Sequence, residues 1–254
     1  MRIQELLEAK RPRIKDVELD MQQLTASNPL DLPDRIGRGI EATAWIDDKD
    51  PHMVYKVEHW MDGDPLYSTG YHKYAQVCQN LWHNNTFLPR IDEVIRLHAE
   101  GVENGRNKTL YRNAYHMERL FDPRAESISK KSLLGMLMNL IDTDKWSKDW
   151  VRQHNGTAMS SAWKVVNLED LPLLSKNEVW KHCVVAASAL IEGKSSPIKD
   201  DLIPKIKQAA KLLQLISGSY NGEINGLDLH VGNYMVRLGG YIPQMVLTDP
   251  LVAR

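Results

Sequence analysis

The sequence predicts an α+β fold in two unequal parts, on three observations. Short apolar runs broken by turn signals crowd residues 35–118. From 121 to 220, apolar residues recur at three-to-four spacing, the mark of helices with one buried face. Near the end, YMVRL, Gly239-Gly240 and YIPQMVL read as a β-hairpin closed by a two-glycine turn. A chain of 254 residues can bury a real core in one large domain or two lobes.

In chain order, residues 1–11 predict a short helix with Ile3, Leu6 and Leu7 on one face, stopped by Pro12. KRPRIK (10–15) reads as a basic solvated arm, or as a docking tail for an acidic partner. Residues 20–34 are polar with two prolines and read as a linker, so 1–34 is expected to be arm and linker. RIGRG, ATAWI and HMVYKV predict three strands, the last two joined by a turn at DDKDP. Residues 67–82 look helical, 86–97 and 109–118 look extended, and AEGVENGRNK between them reads as a polar loop. SLLGMLMNLI, EVWKHCVVAASALI and IPKIKQAAKLLQLI are the helices of the second part. Pro243 weakens the last strand or marks a bulge.

Composition narrows the function. A formal net charge of −1 provides no global field for nucleic acid or membrane surfaces. No apolar run approaches the roughly 18 residues of a membrane span. MRIQELLEAK lacks the apolar core of a signal peptide, so a cytosolic protein is expected. Cys78 and Cys183 show no metal or disulfide spacing and read as reduced core thiols.

The chemistry gathers at NGLDLHVGNYMV (225–236), where Asp228, His230 and Asn233 fall within six positions before a strand. The hairpin that follows turns the chain back, bringing Asn233 at one foot near Asp249 of Leu247-Thr248-Asp249-Pro250 at the other. Carboxylate and amide oxygens converging on one point are hard-ligand chemistry, suited to magnesium carrying a phosphate substrate. The alternative is a loop whose Asp and Asn cap turns. At the other end of the chain, Gly37 and Gly39 in RIGRGIEATA stand between two strands, followed by Ala42 and Ala44. Glycines let backbone N–H groups approach phosphates; a plain hairpin turn also explains them. Lys56 lies on the next strand. Alternation puts Val54 and Lys56 on one face, Tyr55 and Val57 on the other, so the lysine can point under such a lid.

Glycine lid, strand lysine, Met117-Glu118-Arg119-Leu120, an Asp-x-x-x-x-Asn loop and a later Asp occur in the order of the protein-kinase fold. DLHVGNYMV, the glycine hairpin and LTDP resemble the early serine/threonine protein kinases of short-tailed bacteriophages, as does IGRGIEATAWIDDKDPHMVYKV. The resemblance covers roughly 35–254, with nothing recognisable in 121–200. It implies a two-lobed protein-kinase-like fold: a β-rich N-lobe over 35–118 and a reduced, mainly helical C-lobe over 119–254. It also implies ATP and Mg2+ as cofactors, and phosphoryl transfer to Ser or Thr of host proteins in the host cytoplasm during infection. By the same resemblance, Asp228 accepts or orients the proton of the attacking hydroxyl, and Asn233 and Asp249 hold magnesium. Lys56 steadies the phosphates under Gly37 and Gly39. His230 stands where a lysine usually contacts the transferring phosphate. The backbone of Glu118 and Leu120, beside Met117, meets the adenine edge, with Val54 and Ala44 as its ceiling.

The sequence departs from that pattern. Gly226-Leu227 precedes Asp228 in place of His-Arg, the third lid glycine is Ala42, and Asp249 is followed by Pro250-Leu251. The 67–82 helix contains no acid to pair with Lys56, leaving Gln76 or Gln79 as expected partners. Five residues follow Asp249 in this sequence. Two other readings stand beside the first. One is an inactive kinase fold serving as a binding or virion structural protein. The other is a small-molecule kinase of the aminoglycoside-kinase type, which shares Asp-x-His-x-x-Asn.

Overall fold

The computed structural model describes residues 14–38, 42–59, 70–103, 106–147, 167–218, 224–227, 229, 231–239, 243–248 and 251–253. It is an α+β fold built on a mixed six-stranded sheet in the order β1-β5-β6-β4-β3-β2. These strands are β1 (Ile14–Glu18), β2 (Arg35–Arg38), β3 (Ala42–Ile46), β4 (Met53–Glu58), β5 (Ile91–Glu103) and β6 (Arg106–Glu118). Only β1 runs parallel to its neighbour, pairing Ile14 with Val94; the other pairings are antiparallel.

Local chemistry sets the turns. The β3–β4 connection is made by two aspartates: Asp47 Oδ1 accepts from Lys49 N at 3.0 Å, and Asp50 Oδ1 accepts from His52 N at 2.9 Å. The DDKDP turn is therefore where the sequence put it.

The expected arm and linker differ from the structure. Residues 14–18 form an edge strand, and Met21–Thr25 forms a short helix (α1) with a capping box between Asp20 and Gln23. Leu24 of α1 is wholly buried against Val57, Ile95, Leu97, Ala99 and Ala114 on one face of the sheet. Arg112, 2% exposed, holds this segment down: its Nη1 donates to Leu24 O at 2.9 Å and Ala26 O at 2.5 Å. Strand pairing and a buried leucine outweigh the polar composition here. Residues 1–13, with the expected first helix, lie outside the described residues.

The expected loop at 99–108 is likewise mostly strand. Pairing continues from Ala99–Leu110 to Glu103–Arg106. Thr109 Oγ1 donates to Glu100 Oε1 at 2.7 Å, one of the polar cross-strand contacts that carry a hydrophilic hairpin. Gly101 is tightly packed: a Cβ there would lie 3.2 Å from both Leu110 Cδ1 and Met21 Sδ.

The other sheet face meets the helices. They are α2 (Gly70–Leu81), α3 (Lys130–Leu140), α4 (Lys176–Ile191) and α5 (Ile203–Gly218). Ser129 caps α3, and Ser175 with Glu178 forms a capping box on α4. α4 is buried nearly all round from Val179 to Ile191 and forms the centre of the helical part. Two short ladders complete the chain: β7 (Ile224–Leu227) with β10 (Leu251–Ala253), and β8 (Tyr234–Arg237) with β9 (Gln244–Leu247). Pro243 stands just before β9, where it removes no ladder hydrogen bond. Cys78 and Cys183 are buried free thiols. Among the described residues, no helix is long and apolar enough to cross a membrane.

Candidate functional site

The sheet register lines up the N-terminal candidates. Gly37 pairs with Ala44, Ala44 with Lys56, Lys56 with Tyr115, and Tyr115 with Val94. The adjacent row runs Ile46, Val54, Met117, Ile91. Gly37, Ala44, Val54, Lys56 and Met117 thus occupy two neighbouring rows across the sheet, as the alternation of β4 requires. Gly39 lies outside the described residues.

Lys56 lies beneath α2. Its Nζ sits 3.3 Å from the centroid of the Tyr71 ring, a cation–π contact. Tyr71 also meets Tyr115 edge-on at 4.8 Å and donates its hydroxyl to Met117 Sδ at 3.5 Å. Val54 and Met117, the expected neighbours of an adenine, are 5% and 6% exposed. Tyr71 therefore covers the lysine and reaches Met117 in the second row.

The expected glutamine partners are engaged elsewhere. Gln76 Nε2 bonds His72 Nε2 at 2.9 Å. Gln79 Nε2 donates to Asp92 O at 3.3 Å. Among the described residues, a buried acid stands on the lysine's own strand. Glu58, two residues on and about 7 Å along the same face of β4, is 7% exposed. Its carboxylate accepts from Tyr115 Oη at 2.6 Å and Asn113 Nδ2 at 3.0 Å. Sequence reasoning missed Glu58, although the Lys-Val-Glu alternation alone puts it on the face of Lys56.

The segment after β6 is fixed on both sides. Glu118 N donates to Arg90 O at 3.0 Å, and Arg119 N donates to His52 O at 2.7 Å. Phe121 and Val236 exchange backbone bonds at 2.9 Å, which joins this segment to β8. The Glu118 carboxylate accepts from Arg90 N at 2.7 Å and from Arg237 Nε at 2.6 Å, with a second Arg237 bond through Nη2. The amide of Leu120 has no backbone partner among the described residues.

Asp228, His230 and Asp249 lie outside the described residues, but their chain neighbours are held on both sides. Leu227 pairs with Leu251 across β7 and β10. Asn233 O accepts from Thr248 N at 2.8 Å and from Thr248 Oγ1 at 3.0 Å. Between these two clamps, Leu229 is 7% exposed, and its carbonyl accepts from Ser188 Oγ of α4 at 3.3 Å. Ser188 Oγ also bonds the buried Tyr234 hydroxyl at 2.8 Å. Tyr74 of α2 donates to Leu247 O at 2.6 Å, which ties the lysine's covering helix to the strand before Asp249. The described residues flanking the conspicuous acids are thus bonded to one another and, through Leu229, to the central helix.

Among the described residues, no group of three or more His, Cys, Asp and Glu could hold a metal. By sequence, the clamped segments carry an amide oxygen on Asn233 and the carboxylates of two aspartates, the donor types magnesium takes. No protein-family model matches the chain, and no curated protein matches it.

Proposed function

We propose that this chain is an ATP- and magnesium-dependent phosphotransferase of protein-kinase type, acting on Ser or Thr of host proteins during phage infection. One observation carries most of the weight: Leu227–Leu251 and Asn233–Thr248 clamp together the two segments that contain Asp228 and Asp249. The row Gly37–Ala44–Lys56 supplies the second support, since it aligns a glycine and a lysine on one sheet face. In this reading Asn233 and Asp249 hold the metal, which supplies charge neutralisation for the phosphates. Lys56 binds phosphate oxygens, Asp228 takes or orients the acceptor proton, and His230 faces the transferring group. Catalysis rests on positioning and charge stabilisation. The choice of host proteins as substrate rests on the sequence resemblance alone.

The test is transfer from radiolabelled ATP to host lysate and to the protein itself, in magnesium and in EDTA. Label on Ser or Thr that needs magnesium is expected, with a loss of about 10²–10⁴-fold for Asp228→Asn. A mutant retaining half the wild-type rate removes Asp228 from the mechanism. One observation favours the second reading, a kinase fold used only for binding: Tyr71 occupies the space over Lys56. Protein that neither binds Mg-ATP nor transfers phosphate decides for that reading.

A further inference from the structure

Beside the clamped loop lies a cavity of about 130 Å³, lined in part by Val231 and Gly232, which sit between His230 and Asn233. Its other walls include Asp122, Arg124, Trp180 and Lys181. The charges are arranged unequally. Asp122 is the only acid among the described residues of the lining, and it is engaged by Arg124. Arg124 N and Nε reach its Oδ1 at 2.7 and 2.8 Å, and Arg124 Nη2 reaches its Oδ2 at 2.5 Å. This fork holds the guanidinium in one orientation. Arg124 Nη1, with two further N–H groups, has no partner among the described residues. Lys181 supplies a second cation, and Lys176, anchored on Ala125 O, lies close enough to act on Asp122. An arginine already fixed by a carboxylate loses little freedom when it takes a second anion.

We propose that this cavity binds an anionic side chain of the protein substrate, an Asp, Glu or phosphorylated residue near the acceptor hydroxyl. Arg124 and Lys181 are its ligands. The cavity is sized for one side chain, and it opens beside the loop expected to carry the proton acceptor. A substrate gripped here presents its neighbouring hydroxyl to that loop. This inference rests on the phosphotransferase reading and adds its substrate class.

The experiment measures kcat/KM on serine peptides that differ at one flanking position at a time: Glu, phosphoserine, Ala or Lys. Wild type is expected to favour an anionic flank at one or two positions by about tenfold or more, the worth of one charge-assisted hydrogen bond. A glutamate preference points to acidic sequences, and a preference for phosphoserine alone points to substrates already phosphorylated. Arg124→Gln and Lys181→Gln should reduce the ratio of anionic to alanine peptide to within about threefold. Arg124 is on the surface, and a Mg-ATP thermal shift checks that each variant is folded. Wild-type transfer that ignores flanking charge overturns the cavity assignment and leaves the phosphotransferase reading standing, as does a preference that survives both substitutions. A wild type that transfers to no peptide and no lysate protein overturns both.

Discussion

Tyr115 donates its hydroxyl to Glu58 at 2.6 Å while standing directly across the sheet from Lys56. Tyr71, the ring over the lysine, and Tyr115, its cross-strand neighbour, are in turn packed edge to face. The buried carboxylate of Glu58 thus supplies, through Tyr115, the negative end of a network that reaches the lysine's surroundings without any acid on α2. Glu58→Gln should keep the shape and cost about 1–3 kcal/mol of stability, because the Tyr115 and Asn113 bonds lose their charged acceptor. Tyr115→Phe should cost about 1–2 kcal/mol by leaving Glu58 short of one donor. Urea denaturation checks both, and two neutral substitutions would remove the network from the account.

In the proposed nucleotide reading, the Tyr71 ring over Lys56 stands where a phosphate would bind. Tyr71→Leu removes a contact worth about 0.5–2 kcal/mol and retains most of the buried volume. If the nucleotide reading holds, Mg-ATP binds roughly 2–30-fold more tightly to this variant. Isothermal titration gives the two dissociation constants; equal or weaker binding by the variant shows that no such competition exists.

Arg237 and Glu118 form a pair with side chains 19% and 12% exposed. Arg237 also donates to Thr86 O at 2.7 Å and Leu88 O at 2.9 Å, so one guanidinium holds β6, β8 and the turn before β5. Arg237→Ala leaves Glu118 without its charge partner and should cost about 3–5 kcal/mol. Arg237→Lys restores the charge but lacks the planar fork, and should recover only part of that loss. Chemical denaturation of the two variants separates charge from geometry.

Two histidines make stability depend on acid. Burial pulls the pKa of His72 from 6.5 to about 4, helped by Arg96 and Lys73. Burial does the same to His182, opposed by Glu178. The unfolded chain therefore binds up to two more protons between about pH 6.5 and 4. Stability is complete above that window and falls as pH drops through it, by up to about 1.4 kcal/mol per pH unit for each histidine. Urea midpoints from pH 8 to 4 should show the decline, and His182→Gln should make it shallower. A flat profile would show that neither imidazole is held neutral.

Much of the sheet was legible because its signals are local. The alternation of Val54, Tyr55, Lys56 and Val57 assigns two faces without further information, and the hairpin length alone carries Asn233 back to Thr248. What escaped was long-range. β1 pairs with a strand some eighty positions away, and no local pattern in IKDVE announces it. Leu251 completes a ladder with Leu227 across a span that contains the β8–β9 hairpin, so neither β7 nor β10 is visible from its own few residues. The partners of Lys56 were sought by analogy on α2, whereas the strand itself carries a buried acid, Glu58, on the same face. Arg124 carried no signal in the sequence, because its role depends on the orientation Asp122 gives it.

The hydrophobic cluster on the helix side of the sheet has no seam. Val54, Tyr115 and Met117 of the sheet belong to the same cluster as Leu137, Trp180, Leu213 and Val246. A chain organised this way should lose its structure in a single transition, with fluorescence and circular dichroism reporting one midpoint. Among the described residues it also shows no plane along which sheet and helices could swing apart without wetting apolar surface. Under the proposed phosphotransferase reading, admission of a nucleotide to Lys56 would turn on the displacement of one aromatic side chain on α2, a small local motion rather than a closing of jaws. Cutting the chain after Glu118 should yield two fragments that do not fold alone.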